Sequence, residues 1–110
     1  MNAKIKPRKA AESPVLGAIM RMASYARHAA DLAGDCAVAD PKAAGECARA
    51  ERAAETAEAA SHEAYLVEYN PRVPLAEKDR VLALCQIAAE QALALARESQ
   101  FKARRIAHRA

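Results

Sequence analysis

Apolar residues return every three or four positions across most of this chain, the period of an α-helix with one buried face. From Val15 the line runs through Ile19, Met22, Ala26 and Ala29 to Ala33, with Leu16 and Met20 on one flank and Tyr25 and Leu32 on the other. Arg21, Ser24, His28 and Asp31 fall opposite. A second line comprises Ala43, Cys47, Ala50, Ala54, Ala57, Ser61 and Ala64, ending at Tyr65. The third holds Val81, Cys85, Ala88, Ala92, Leu95, Ser99, Ala103 and Ile106, flanked by Leu84 on one side and by Leu82, Ala89 and Leu93 on the other. Punctuation agrees with three helices. Ser13-Pro14 and Asp40-Pro41 each read as an N-cap followed by proline at the first helical position. Gly34 reads as the stop of the first helix. Pro71 and Pro74 in "NPRVP" forbid a regular helix between the second and third. Helices are therefore expected over about 14–33, 41–68 and 75–108, within one helical domain spanning 13–110.

Short connections make consecutive helices antiparallel neighbours. The expected fold is all-α, an up-down-up antiparallel three-helix bundle with a long C-terminal helix; a helical hairpin with a protruding third helix is the alternative. Composition supports the helical class: 53% of the 110 residues are apolar, Trp is absent and Phe occurs once. Much of the apolar share is alanine, the strongest helix former, which loses no side-chain entropy on folding.

Alanine also sets how the helices meet. Between Cys47 and Tyr65 the second helix has no large apolar side chain. A stripe of methyl groups lets helix axes approach to the near end of the ordinary 8–10 Å range. Each methyl group contributes less than about 1 kcal/mol, so the larger residues of the first and third helices must supply most of the core. Across the third helix from its main line lies another: Ala83, Ile87, Ala94 and Phe101. Ile87, Ala94, Phe101 and His108 are spaced by sevens. In a monomeric bundle this line faces water, either as ordinary scatter or as a contact line for a second copy or another protein.

The net charge of +3 hides an uneven distribution. Lys4, Lys6, Arg8 and Lys9 make residues 1–12 a basic arm, expected to be flexible. Arg97, Lys102, Arg104, Arg105 and Arg109 face only Glu98 near the other end. Such asymmetry fits an acidic partner, or merely two solvated ends. Three cysteines make no disulfide framework. Cys36 and Cys47 flank the predicted turn, where a bridge between them and two reduced core thiols are both open. With no apolar run of about 18 residues, no membrane span is expected, and the chain reads as cytoplasmic.

Candidate chemistry is sparse. Glu51, Glu55, Glu58 and His62 form an acidic ridge on one side of the second helix, at spacings of four, three and four. Carboxylates and histidine on bundle helices can hold metals, but such sites need matching ligands on facing helices and usually a Glu-x-x-His pair. Both are missing here, so the ridge is expected to be solvated, or to meet a basic surface. No metal or other cofactor is expected. Glycine-rich phosphate loops and Cys-x-x-Cys pairs are absent, and no enzyme is expected. Lys102, Arg105 and Arg109 share one face and suit phosphate contacts, although cations also favour a helix C-terminus through its dipole.

The reading that results is a small non-catalytic helical interaction protein, an adaptor or inhibitor. It would bind a protein or nucleoprotein partner through Ile87, Arg97, Phe101, Arg104 and Arg105. Two others stand beside it: a nucleic-acid-binding accessory protein gripping phosphates with its basic termini, and a homo-oligomeric structural bundle such as a homodimer.

Overall fold

Serine 13 opens the first helix as its type and position require. Its Oγ accepts a hydrogen bond from the Leu16 N–H at 3.2 Å, and Pro14 stands at the first helical position. The structure is a computed structural model describing residues 13–108. The arm expected over 1–12 and Arg109 lie outside the described residues. The described residues form three α-helices, α1 (Pro14–Ala39), α2 (Ala44–Glu68) and α3 (Leu75–Ala107), with a 3-10 turn at Pro41–Ala43. Each helix packs against the other two, and no strand occurs among the described residues. The principal-axis extents are 68 × 19 × 15 Å, a rod whose length is set by its helices.

One helix boundary departs from expectation. Gly34 does not end α1, which continues six residues past Ala33 to Ala39. No glycine among the described residues has positive φ, so Gly34 lacks the left-handed conformation of a glycine stop. The stop is set by Asp40 instead. Pro41 disfavours helical dihedrals in the residue before it, and Asp40 is extended (φ −144°, ψ 109°). Its N–H donates to the Cys36 carbonyl, closing α1, while its side chain accepts from the Lys42 N–H at 3.0 Å, opening the next turn. The second connection is held by the Asn70 side chain accepting from the Arg72 N–H and by Lys78 Nζ donating to the Glu68 carbonyl at 2.8 Å.

The core is built from the smallest side chains available. Among the described residues sixteen of the twenty-one buried apolar side chains are alanine, so close approach of the helices, more than bulk, fills the interior. Every buried residue of α2 except Glu68 is alanine. Leu16, Ile19 and Leu82 gather with Cys85 in one cluster, whereas the other is alanine with Leu93. The buried lines are also rotated from the expected ones. In α1 the line turns toward Ala23 and Ala30, leaving Val15, Tyr25 and Leu32 exposed. In α2 it takes in Ala53 and Ala60, and in α3 it takes in Ala96 while Leu95 stays exposed. Alanine is preferred where three backbones converge, and larger side chains are moved to the rim.

Candidate functional site

The outer face of α3 follows from that arrangement. Its buried residues, Leu82, Cys85, Ala89, Ala92, Leu93, Ala96, Ser99 and Ala103, define one side, and the line of Ala83, Ile87, Ala94 and Phe101 falls opposite. Ile87 is 51% and Phe101 59% exposed, so neither is sealed inside the protomer. Arg97 lies over the exposed ring of Tyr25 from α1, guanidinium carbon to ring centroid 5.8 Å. Arg105 lies over Phe101 at the same separation. Cation–ring pairs of this kind contribute about 0.5–1 kcal/mol at exposed sites. They also hold each guanidinium where its outer edge can still donate. Arg104 is exposed, and no carboxylate among the described residues pairs with it, with Arg97 or with Arg105. Thus Ile87, Arg97, Phe101, Arg104 and Arg105 are all on the surface, and Tyr25 joins them from a second helix. The sequence had placed Tyr25 at the edge of a buried stripe; only the rotation of α1 brings it to this surface.

Of the residues expected to touch phosphate, Lys102 and Arg105 are exposed, but Lys102 is already paired. Lys102 Nζ is held by Glu98 Oε2 at 3.3 Å. Lys102 and Arg105 line a hollow together with Ile106 and Glu46. Glu46 pairs with Arg49 through Oε2 at 3.1 Å, and its Oε1 is buried with no hydrogen-bond partner. An anion entering this hollow would meet the Glu46 carboxylate as well as two cations, one of them already held by Glu98.

The acidic ridge divides. Arg27 of α1 reaches across to it, donating from Nη1 to Glu51 at 2.8 Å and from Nε and Nη2 to the two oxygens of Glu58, both at 3.0 Å. These hydrogen bonds hold the Glu58 carboxyl below its ordinary range and raise the Arg27 guanidinium. Glu55 and His62 remain exposed on the outer side of α2. Arg27 was missed in sequence because it lies at the border between the polar and apolar faces of α1, where a helical-wheel reading assigns no partner. Among the described residues no three His, Cys, Asp or Glu side chains are grouped to hold a metal ion.

All three cysteines are free thiols. Burial pushes the Cys47 thiol up, with Glu51 and Cys36 adding to the effect; burial and then Glu63 do the same for Cys85. Both are thereby poorer nucleophiles than an exposed thiol.

Fold and surface together define an all-α protein of three packed helices whose exposed face combines apolar, aromatic and guanidinium groups. No helix among the described residues is long and apolar enough to cross a membrane. No protein family, curated protein or solved structure matches the chain.

Proposed function

We propose that this is a small non-catalytic interaction protein of the cytoplasm, an adaptor or inhibitor, that docks a protein partner on the outer face of α3. One observation carries the reading: the chain buries methyl groups and exposes its large apolar side chains. Among the described residues only Leu16, Ile19, Leu82 and Leu93 represent leucine and isoleucine in the buried set, while twelve large hydrophobics, Ile87 and Phe101 among them, stand in solvent. Exposed aromatic and arginine side chains are the types that dominate binding energy at interfaces. An up-down-up course belongs to the proposal. It is supported by the first turn of α1 meeting α3 at Leu82, Ala83 and Gln86 and by Tyr25 meeting it at Arg97, as two helices ascending together would. Glu46 shares a hollow with Ile106 and Ala60 one with Leu84, which supports a descending α2.

The test is capture from native host lysate by the wild-type chain and by Ile87→Asp/Phe101→Ser, each with and without nuclease. A protein retained by wild type, lost with the double variant and indifferent to nuclease supports the reading. Loss on nuclease treatment alone transfers the function to nucleic-acid binding, and capture unaffected by the double variant refutes the α3 face.

A homodimer is favoured by one specific feature. Ile87 and Phe101 are equidistant from Ala94, so a two-fold axis at Ala94 would seat each Ile87 against the partner's Phe101 in an isologous contact. Sedimentation velocity decides: a dimer that Phe101→Asp dissociates supports it, and a monomer at high concentration removes it.

A further inference from the structure

The α3 face is asymmetric in charge, and this points to the chemistry of what covers it. On its α1 side Tyr25 carries Arg97, and Leu32 lies seven residues, two helical turns, beyond Tyr25 on the same exposed side of α1. Arg104 lies seven beyond Arg97 on α3. Because α1 meets α3 in ascending order, Leu32 and Arg104 belong to one level as Tyr25 and Arg97 belong to another. Among the described residues neither arginine has an acidic partner, whereas Arg27, Arg49, Arg80 and Lys102 each have one. Arg21, Lys42, Arg52 and Arg72 elsewhere are likewise outside these ion pairs, but Arg97, Arg104 and Arg105 are the ones that flank exposed apolar and aromatic groups of this face. Beside them runs the line from Ala83 to Phe101, about 27 Å long at 1.5 Å per residue.

We infer that this surface, formed by Tyr25, Leu32, Arg97, Phe101 and Arg104, receives an acidic amphipathic helix from another protein. This rests on the docking role proposed for α3 and adds the partner's chemistry to it. The fit follows from each component. Residues spaced by sevens along a helix meet an apolar stripe of the same repeat. Guanidinium groups at the edge of that stripe take carboxylates in two-point hydrogen bonds. Holding Arg97 on Tyr25 before binding reduces the rotamer entropy lost when the pair forms. A nucleic-acid strand fits less well. Its two exposed rings, Tyr25 and Phe101, each already carry a guanidinium where a base would stack, and Glu90 and Glu98 interrupt any row of cations along α3.

A displayed library of random helical peptides, selected against the full chain, tests this. The probes are the peptides recovered, measured by fluorescence anisotropy, with single-stranded dT20 as competitor. The expected result is enrichment of amphipathic sequences with Asp or Glu flanking the apolar stripe. Their binding should fall at least tenfold on Phe101→Ala and on Arg97→Gln/Arg104→Gln. Binding should also fall with added salt while dT20 fails to compete. These residues are exposed, and an unchanged circular dichroism spectrum verifies that the variants remain folded. Neutral or basic peptides that need Phe101 but not the arginines would overturn the acidic partner and leave the docking face standing. Peptides indifferent to Phe101, or no enrichment, would overturn both. Competition by dT20 at equal or lower concentration would overturn the inference in favour of nucleic acid.

Discussion

Enlarging one methyl group at the centre of α2 tests whether alanine marks close packing or only helix propensity. Ala57 is fully buried and belongs to the same cluster as Ala26, Ala30, Ala54, Ala92 and Ala96. Leucine adds three carbons. If there were room for them, their burial would stabilise the fold by about 2.4 kcal/mol, three groups at ~0.8 kcal/mol each. If the backbones already touch across the alanines, the same carbons force strained rotamers or push α2 outward, at a cost of about 1–3 kcal/mol. The two cases differ in sign, so the outcome does not depend on the accuracy of either figure. Urea unfolding followed by circular dichroism gives the answer. With a slope of about 1–2 kcal/mol per molar urea, Ala57→Leu should lower the midpoint by roughly 1 M. Ala59→Leu, on the exposed side of the same helix, should change stability by no more than about 0.5 kcal/mol. Ala57→Gly should cost about 2 kcal/mol, roughly half from helix propensity and half from the lost methyl group. A raised midpoint for Ala57→Leu would refute the close-packed seam.

Other perturbations separate other parts of the structure. Gly34→Ala should stabilise by about 0.5–1 kcal/mol, because residue 34 is helical and a new Cβ would meet Cys47 Sγ at an ordinary 3.9 Å; a loss of stability in thermal melts would restore Gly34 as a helix stop. Arg27→Met should cost about 1 kcal/mol, since about a third or more of each ion-pair side chain is in solvent. The Glu58 share of that difference has a defined pH dependence. The folded-state carboxyl lies below its unfolded value, so the contribution is complete above about pH 4.3 and is lost as pH falls through the folded value. Wild type and Arg27→Met should thus converge in acid, and a gap unchanged down to pH 2 would contradict the ion pair. Leu82→Ala should cost about 2–5 kcal/mol, while Phe101→Ala should cost under about 0.5 kcal/mol; comparable losses in the two melts would place Phe101 in the core. Cys47 and Cys85 should react with a thiol reagent at pH 8 more slowly in the native protein than in urea, and equal rates would contradict the effect of burial.

The helical class and most helix limits were legible because their signals are local. Ser13-Pro14, Asp40-Pro41 and the two prolines of "NPRVP" act through backbone conformation within a few residues, which tertiary packing rarely reverses. The end of α1 was misread because glycine only permits a left-handed stop. Gly34 is a helical residue with room for a Cβ, the nearest atom being Cys47 Sγ at 3.9 Å, and nothing in the structure explains the glycine. Asp40, already recognised as the start of the next element, was also the end of this one. The buried faces were harder for a different reason. A helical wheel assumes that the largest apolar side chains seek the interior, and this chain reverses that preference. Once α2 offers only methyl groups, its neighbours gain more from backbone proximity than from inserting bulk, so Ala23, Ala30 and Ala96 are buried while Val15, Tyr25 and Leu95 move outward. The line of Ile87 and Phe101 was visible because it lies directly opposite the buried face, where a modest rotation changes nothing. Tyr25 and Arg27 lie at opposite borders of the α1 stripe, where that rotation decides everything. It sets Tyr25 against Arg97 and carries Arg27 to Glu51 and Glu58. The same turn of one helix therefore neutralises much of the acidic ridge and extends the apolar and cationic surface of α3 on to its neighbour.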